Sequence, residues 1–276
     1  LFPFTLSELA KNKRKFTEFI KNPLTGFDLN DEKLTEKIWH NLSELSGFPE
    51  PFLKNKKTFW RKWTQIYTHQ VIYEDIQSLS NIRRIEQVNL LYSLLSSKIG
   101  SPLSINSLAE DLQVAFDTVK NWLNIFDIFY LTFQISPWSK RINRAITKEK
   151  KIYLFNYPLI VDIAHRFENM AALELYRAIY LWNELGYGNF NLHYIRNKEK
   201  QEIDFLISNN NQPILLIEAK NSNEQVSPHI FEFQDRLNIP VVQLVNKEDT
   251  HKIYKNKRNK ILVITTHRWL SSLPDF

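Results

Sequence analysis

The sequence predicts a mixed α+β protein with a helical N-terminal region, a middle segment of three helices and two strands, and a C-terminal α/β domain. Three patterns support this prediction. Apolar residues recur at helical spacing through much of 1–80, short helical and β-type segments alternate over 81–156, and β-type runs alternate with helices over 157–276. A chain of 276 residues is long enough for two or three domains, so we take these three ranges as the domains.

The N-terminal region is expected to begin with a helix capped by Thr5 or Ser7, and a second helix should cover 31–45. A longer helix is predicted over 55–78. Its aromatic and aliphatic residues recur at helical spacing and are expected to pack on a core: Phe59, Trp60, Trp63, Ile66, Tyr67, Ile72 and Ile76.

The middle segment has the order of elements that is typical of a winged helix-turn-helix. Helices are predicted over 86–98, 104–112 and 115–126, followed by β-type runs at 129–133 and 151–155. Such a module binds DNA in some proteins and docks on a protein partner in others, and both interpretations remain open.

The polar loop between the two β-type runs, 139–150, is rich in Lys and Arg and could bind a phosphate backbone. Together with Lys120 of the third helix, it supplies the candidate DNA contacts Lys140, Arg141 and Arg144. The net charge of +6 agrees with a polyanionic partner, although a general enrichment in Lys, Asn and Ile would also produce it.

The C-terminal part is predicted to contain a long helix over 167–182 and a helix at about 227–237. Five β-type runs accompany them, and the first three form a meander: 190–196, 201–208, 213–219, 241–245 and 261–264.

Charged residues interrupt two of these apolar runs. Asp204 lies inside 203–207, and Glu218 and Lys220 end 215–220 on one face of the strand. Because charges at the end of a buried strand are costly without a partner, we expect Asp204 and Glu218 to share Mg²⁺ or Mn²⁺, with Lys220 beside them. The alternatives are a surface ion pair at Lys220, a structural Asp204, and an intact fold with an unused site.

An aspartate followed about a dozen residues later by Glu-x-Lys resembles the PD-(D/E)xK nuclease superfamily. More widely, the chain resembles prokaryotic AAA-type ATPases that carry a C-terminal nuclease-like domain. The segments that carry this resemblance are 47–50, 67–76, the middle segment, 151–155, 167–169, 173–175 and 202–205.

The resemblance implies a metal-dependent deoxyribonuclease in which Asp204, Glu218 and Glu168 bind the metal and Lys220 assists catalysis. Glu174 competes with Glu168 as the third acid. Glu202 is either an accessory ligand or a solvated residue at the start of a strand. The alternative function is a non-catalytic DNA- or protein-binding module that couples an ATPase to its partner.

The sequence also sets several limits. It contains no G-x-x-x-x-G-K-[ST] motif, so the ATP site that the resemblance implies is absent from it. Because it begins with Leu1, we favour a piece of a longer protein whose ATPase region would bind ATP over a homologue that has lost this region. There are no cysteines, which excludes disulfides, thiolate zinc sites and cysteine nucleophiles. No ligand spacing links the seven histidines, so we do not expect them to bind metal. No apolar run is long enough to cross a bilayer, and we expect a cytoplasmic protein.

Overall fold

A computed structural model describes most of the chain, and the mixed α+β class is confirmed. The described residues are 2–11, 13–27, 32–80, 82, 84–140, 149–222 and 224–275. None of the helices in these ranges is both long and apolar enough to cross a membrane.

The described chain contains both helices and strands. The helices are α1 Leu6–Ala10, α2 Phe16–Lys21, α3 Glu32–Leu45, α4 Pro49–Lys54, α5 Lys57–His69, α6 Gln77–Ser80, α7 Ile85–Leu95, α8 Ile105–Leu112, α9 Phe116–Ile128, α10 Ile163–Glu184, α11 Pro228–Leu237 and α12 Thr266–Leu270. A π-helical segment, Gln70–Ile76, joins α5 to α6, and a 3₁₀ turn covers Tyr157–Leu159. The strands are β1 Thr132–Pro137, β2 Lys151–Leu154, β3 Phe190–Arg196, β4 Glu202–Asn209, β5 Gln212–Lys220, β6 Val241–Val245, β7 His251–Asn256 and β8 Asn259–Thr265.

The chain forms two compact units, each assembled from three segments. Unit 1 comprises Leu1–Pro3, Asn41–Gln134 and Glu149–Asn169. Unit 2 comprises Phe4–His40, Ile135–Lys148 and Met170–Phe276. The sequence analysis predicted three consecutive domains instead: 1–80, 81–156 and 157–276. As functional domains, these ranges stay a prediction.

In unit 1, the predicted helix over 55–78 is divided into α5, the π-helical segment and α6. Trp60, Ile72 and Ile76 are buried, as predicted, but Ile66 is 56% exposed, so its predicted place in the core is wrong. The reason is geometric. Thr64 is buried, and an offset of two residues turns the α-helix by about 200°, which places Ile66 on the opposite face.

The middle segment folds into α7, α8 and α9 followed by β1 and its neighbour β2, in the predicted order of elements. The first strand begins at Thr132 rather than at 129. Tyr130 has a φ of 54°, and the N–H of Leu131 donates to the carbonyl of Phe126 at 2.9 Å, so the end of the helix extends into the predicted strand. The winged-helix assignment itself stays a prediction.

Unit 2 is built around a mixed sheet in the order β3-β4-β5-β6-β8-β7. Strands β3, β4 and β5 are antiparallel neighbours, which is the predicted meander, and β5, β6 and β8 run parallel. The edge strand β7 was not predicted, because its exposed polar sequence lacks an apolar face. Ile230 and Phe233 of α11 belong to the same hydrophobic cluster as Leu206, Leu216 and Val263, so this helix covers one face of the sheet.

Candidate metal-binding site

The pairing of β4 with β5 positions the two acids of the predicted site. These strands are antiparallel, with Phe205 opposite Ile217, so the register sets Asp204 opposite Glu218. Opposite residues of an antiparallel pair project from the same face with their side chains close together. Lys220 follows two residues after Glu218 and therefore shares its face.

Hydrogen bonds connect the two acids across the strands. The N–H of Ala219 donates to Oδ2 of Asp204 at 3.0 Å, and the N–H of Asp204 donates to Oε2 of Glu218 at 3.3 Å. Nζ of Lys220 lies 2.5 Å from Oε1 of Glu218. The structure thus brings together Asp204, Glu218 and Lys220, three of the four residues that were predicted to form the catalytic site.

The cluster contains two carboxyl groups and one ammonium group, so it is net negative when both acids are ionised. Glu218 is only 2% exposed, whereas about a third of the Lys220 side chain is exposed. Burial, reinforced by the neighbouring Asp204 carboxylate, raises the pKa of Glu218 above its ordinary value, although Lys220 opposes this shift. A bound cation would favour the ionised form of Glu218 and relieve the repulsion between the two carboxylates.

The donor set fits a hard divalent cation such as Mg²⁺, which proteins often bind through one or two carboxylates while waters complete its coordination. Among the described residues, neither Asp204 nor Glu218 belongs to a group of three candidate ligands whose ligand atoms all lie within 4.8 Å of one another. Asp204 and Glu218 are therefore the two carboxylates that this pair of strands could offer to a cation.

Glu168, the predicted third acid, lies in unit 1. Its Oε1 accepts hydrogen bonds from the Tyr153 hydroxyl at 2.8 Å and from Nζ of Lys151 at 3.0 Å. Lys151 is completely buried, so Glu168 neutralises a cation inside this unit. A metal-binding role for Glu168 stays a prediction.

Glu174, the alternative third acid, has a clear structural contact in unit 2. Both of its carboxylate oxygens lie 3.0 Å from the backbone nitrogen of Leu6, the first residue of α1. The carboxyl group thus supplies an acceptor for one of the N–H groups that a helix leaves unpaired at its N-terminus. Glu202 lies at the start of β4, where its Oε2 is 3.8 Å from Nε of Arg196.

The predicted DNA contacts are only partly described. Lys120, on α9 of unit 1, is exposed, and so is Lys140, which follows β1. Arg141 and Arg144 lie outside the described residues. The geometry of the basic loop therefore stays a prediction.

His229, the second residue of α11, was not predicted as part of this site. Burial lowers the pKa of His229, and so does the charge of Lys220, whereas the Asp204 carboxylate and a hydrogen bond to the Glu202 backbone act in the opposite direction. These interactions place the imidazole beside the acidic cluster. Nε2 of His229 is buried and has no hydrogen-bond partner in the described part of the chain.

A second cluster was also missed, because its members are far apart in the sequence. Ligand atoms of Glu32, Glu248 and His267 all lie within 4.8 Å of one another, and Nε2 of His267 is 3.0 Å from Oε2 of Glu248. Sequence spacing, which linked none of the seven histidines to other ligands, thus missed this contact. Arg268 pairs with Glu32 and lies 3.0 Å from Asp249, so the cluster already contains a positive charge.

Two domain-family models match parts of the chain. Residues 36–167 match a domain of unknown function, DUF8612, and residues 165–268 match another, DUF4143. DUF4143 domains are commonly found at the C-terminus of AAA-ATPase-like proteins.

One curated relative is the uncharacterised protein MJ1637 of Methanocaldococcus jannaschii. It is 24% identical over 178 residues, which cover 59% of this chain but only 37% of the relative. The match thus spans well under half of the relative's length. No solved structure gives a significant match.

Proposed function

We propose that this chain is the C-terminal part of an AAA-type ATPase and that Asp204, Glu218 and Lys220 form a Mg²⁺- or Mn²⁺-dependent site for hydrolysing DNA phosphodiester bonds. The observation that carries the proposal is the placement of the two carboxylates opposite each other on β4 and β5, with Lys220 next to Glu218. The DUF4143 match supports the link to an AAA-type ATPase.

Each residue of the site has a distinct role in this proposal. Asp204 and Glu218 hold the ion through hard oxygen ligands. A bound Mg²⁺ supplies a Lewis acid that activates water and neutralises charge on the phosphate. The ammonium group of Lys220, already beside Glu218, stabilises the negative charge that develops on the attacked phosphate.

The backbone of β5 fixes this arrangement. The N–H of Ala219 holds the Asp204 carboxylate, so this oxygen does not depend on a flexible side chain for its position. DNA would be positioned by the middle segment, with Lys120 and the basic residues Lys140, Arg141 and Arg144 at the phosphate backbone.

A cleavage assay tests the nuclease proposal. The protein would be incubated with Mg²⁺ or Mn²⁺ and with linear, single-stranded or branched DNA, beside the variants Asp204→Asn and Lys220→Met. Lys255→Met is the matched control, because Lys255 is an exposed lysine of the edge strand β7. Cleavage should be lost in the first two variants and kept in the control. Equal product from Asp204→Asn and the unchanged protein on every substrate would refute the proposal.

Metal binding can be measured separately from cleavage. Mg²⁺ should raise the melting temperature of the unchanged protein, because a ligand that binds only the folded state stabilises it. Asp204→Asn should reduce this increase, since it removes one of the two anionic ligands. An identical increase in both proteins would place the metal elsewhere.

A second candidate function is a non-catalytic module that couples an ATPase to DNA or to a protein. It is favoured by the engagement of Glu168 with Lys151 and Tyr153 in unit 1, which gives the predicted third acid a structural role. Under this alternative, DNA binding occurs without cleavage. Neutralising Arg141 and Arg144 would weaken that binding and reduce its dependence on salt. Unchanged binding would point to a protein partner.

A further inference from the structure

Glu32, Glu248 and His267 form a second group of potential metal ligands in unit 2, apart from the acids on β4 and β5. Glu32 is the first residue of α3, Glu248 lies between β6 and β7, and His267 is the second residue of α12. One ligand atom from each residue lies within 4.8 Å of the other two. Because metal–ligand distances are about 2.0–2.2 Å, small side-chain movements would let all three atoms reach a shared ion.

The imidazole of His267 is held in an orientation that directs Nε2 into this group. The side chain is 2% exposed, and its Nδ1 lies 2.9 Å from Oγ1 of Thr35. The Thr35 hydroxyl donates its single proton to the carbonyl of Glu32 at 3.0 Å, so its contact with His267 is a hydrogen bond from Nδ1–H to Oγ1. In a neutral imidazole the free lone pair then lies on Nε2. Histidines that bind metals show this arrangement, because the hydrogen bond of the other nitrogen fixes the tautomer and the ring.

Nε2 of His267 meets a carboxylate at the centre of the group. It lies 3.0 Å from Oε2 of Glu248, and both atoms offer lone pairs when the imidazole is neutral. Either a proton on Nε2 or a metal ion bound by both residues would make this contact favourable.

Glu32 favours the metal ion over the proton. Its Oε2 pairs with Arg268, whereas its Oε1 is buried and has no hydrogen-bond partner in the described part of the chain. A buried acceptor without a partner is costly, and a metal ion beside Oε1 would satisfy it. A proton between His267 and Glu248 would leave Oε1 as it is.

The charges around the group also match a divalent ion. Glu32, Glu248 and Asp249 carry three negative charges when they are ionised, and Arg268, which pairs with Glu32 and Asp249, carries one positive charge. Three negative charges against one positive charge leave two, which a divalent cation would neutralise. A protonated His267 would neutralise only one of them.

Hydrogen bonds fix the chain segments that carry two of the ligands. The Thr265 hydroxyl donates to the carbonyl of Lys247 at 2.7 Å and accepts the N–H of Thr250 at 3.0 Å. These bonds join the connection between β6 and β7, which carries Glu248, to the start of α12, which carries His267. The two ligands are therefore positioned by the backbone before any ion binds.

The donor set indicates which ion would bind. One imidazole nitrogen and two carboxylate oxygens are typical ligands of Zn²⁺, which takes three protein ligands and a water in many open sites. Mg²⁺ and Ca²⁺ prefer oxygen ligands alone. We propose that Glu32, Glu248 and His267 bind Zn²⁺ or a similar divalent transition-metal ion, which joins α3 and α12 to the connection between β6 and β7.

Calorimetric titration of the full chain with Zn²⁺ tests this site. Millimolar Mg²⁺ in the buffer competes for Asp204 and Glu218, and Asp204→Asn is titrated in parallel because it lacks one of these acids. The unchanged protein and Asp204→Asn should both bind Zn²⁺ at micromolar concentration, whereas Mg²⁺ should not displace it.

Glu248→Gln assigns the binding to this group. The Glu248 side chain is 50% exposed, so the substitution leaves the core intact. It should weaken Zn²⁺ binding by at least roughly tenfold, since even the loss of a group that only orients a metal ligand weakens binding by about 10–100-fold. Glu199→Gln is the matched control and should bind Zn²⁺ as the unchanged protein does. Glu199 is an exposed glutamate between β3 and β4, at the other end of the sheet of unit 2 from β8 and β7.

Nitrogen NMR of the imidazoles shows whether a histidine holds the ion. Zn²⁺ should shift the Nε2 resonance of one histidine in the unchanged protein and in Glu199→Gln, and it should not shift it in Glu248→Gln at the same concentration. His267→Gln should remove the shifted resonance. Because His267 is buried, Glu248→Gln carries the test if His267→Gln does not fold.

The proposal is overturned if the unchanged protein binds no Zn²⁺ at micromolar concentration, or if Glu248→Gln binds it as tightly as the unchanged protein does. It is also overturned if bound Zn²⁺ shifts no histidine resonance. Each of these results would identify the contact of His267 with Glu248 as an ion pair of a protonated imidazole. Because Asp204→Asn lacks an acid of the proposed nuclease site, Zn²⁺ binding by this variant stands or falls independently of DNA cleavage.

Discussion

Replacing Glu174 by glutamine tests whether this buried carboxyl group serves the fold. Both oxygens of Glu174 lie 3.0 Å from the backbone nitrogen of Leu6. Burial raises the pKa of Glu174 from 4.5 to about 8, even though the hydrogen bond from Leu6 acts in the opposite direction. Glutamine keeps the shape and one oxygen acceptor, but it carries no charge at any pH.

The sign of the effect follows from the direction of the pKa shift. Since the pKa of Glu174 is higher in the folded than in the unfolded state, folding favours the protonated form. The stabilisation is therefore fully present below about pH 4.5 and is lost as the pH rises to about 8. A span of roughly 3.5 pH units at about 1.4 kcal/mol per unit gives an upper limit of roughly 5 kcal/mol.

Urea denaturation of Glu174→Gln and of the unchanged protein between pH 4.5 and 8.5 would measure this difference. The free energies of unfolding should be similar near pH 4.5, and the variant should become more stable by several kcal/mol near pH 8. Ionisable groups that do not interact with Glu174 are common to both proteins, so their contributions cancel; Glu8, Arg177 and Asp275 interact with it. If the free energies of unfolding of the two proteins differed by the same amount at every pH in this range, the explanation would be refuted.

Two further predictions concern buried polar contacts. Asn169→Ala should lower the free energy of unfolding by roughly 2–5 kcal/mol in urea denaturation. The reason is that the Asn169 side chain forms hydrogen bonds of 2.8 Å with both the N–H and the carbonyl of Leu154. A loss of stability below about 0.5 kcal/mol would contradict this prediction. Burial raises the pKa of Asp127 from 3.8 to about 6, although Thr132 and Gln134 donate hydrogen bonds to it. Asp127→Asn should therefore gain stability over the unchanged protein, by at most roughly 3 kcal/mol, as the pH rises from 4 to 6; a constant difference across this range would be the wrong outcome.

Elements with a strong apolar pattern were predictable from the sequence, and elements without one were not. The runs that became β4, β5 and β6 are apolar because they are buried in the sheet of unit 2. Strand β7 is polar and exposed, and pairing with β8 alone determines its conformation. The π-helical segment also escaped prediction, since its sequence differs little from that of an α-helix.

The acidic site was predictable because its residues are near one another in the sequence and on neighbouring strands. Asp204 and Glu218 are joined by a single tight connection between β4 and β5, so local spacing determines their separation. The contacts of Glu174 with Leu6 and of His267 with Glu248 depend on chain segments that no local pattern relates. Sequence periodicity identifies the face on which a residue lies, but not which distant segment reaches it.

The buried charges of this protein differ in how their surroundings compensate them. Glu168 faces the cation of Lys151, whereas Glu174 accepts a backbone N–H at the start of a helix and is kept protonated by burial up to about pH 8. Glu218 is as deeply buried, but its neighbours are a second carboxylate and a lysine that remains partly in solvent. Two ionised acids held opposite each other repel, and the pKa of Glu218 is raised because protonation of one acid relieves this repulsion. Glu218 thus differs from Glu168 in having a second carboxylate directly opposite it on the neighbouring strand, whereas Glu168 faces a buried ammonium group.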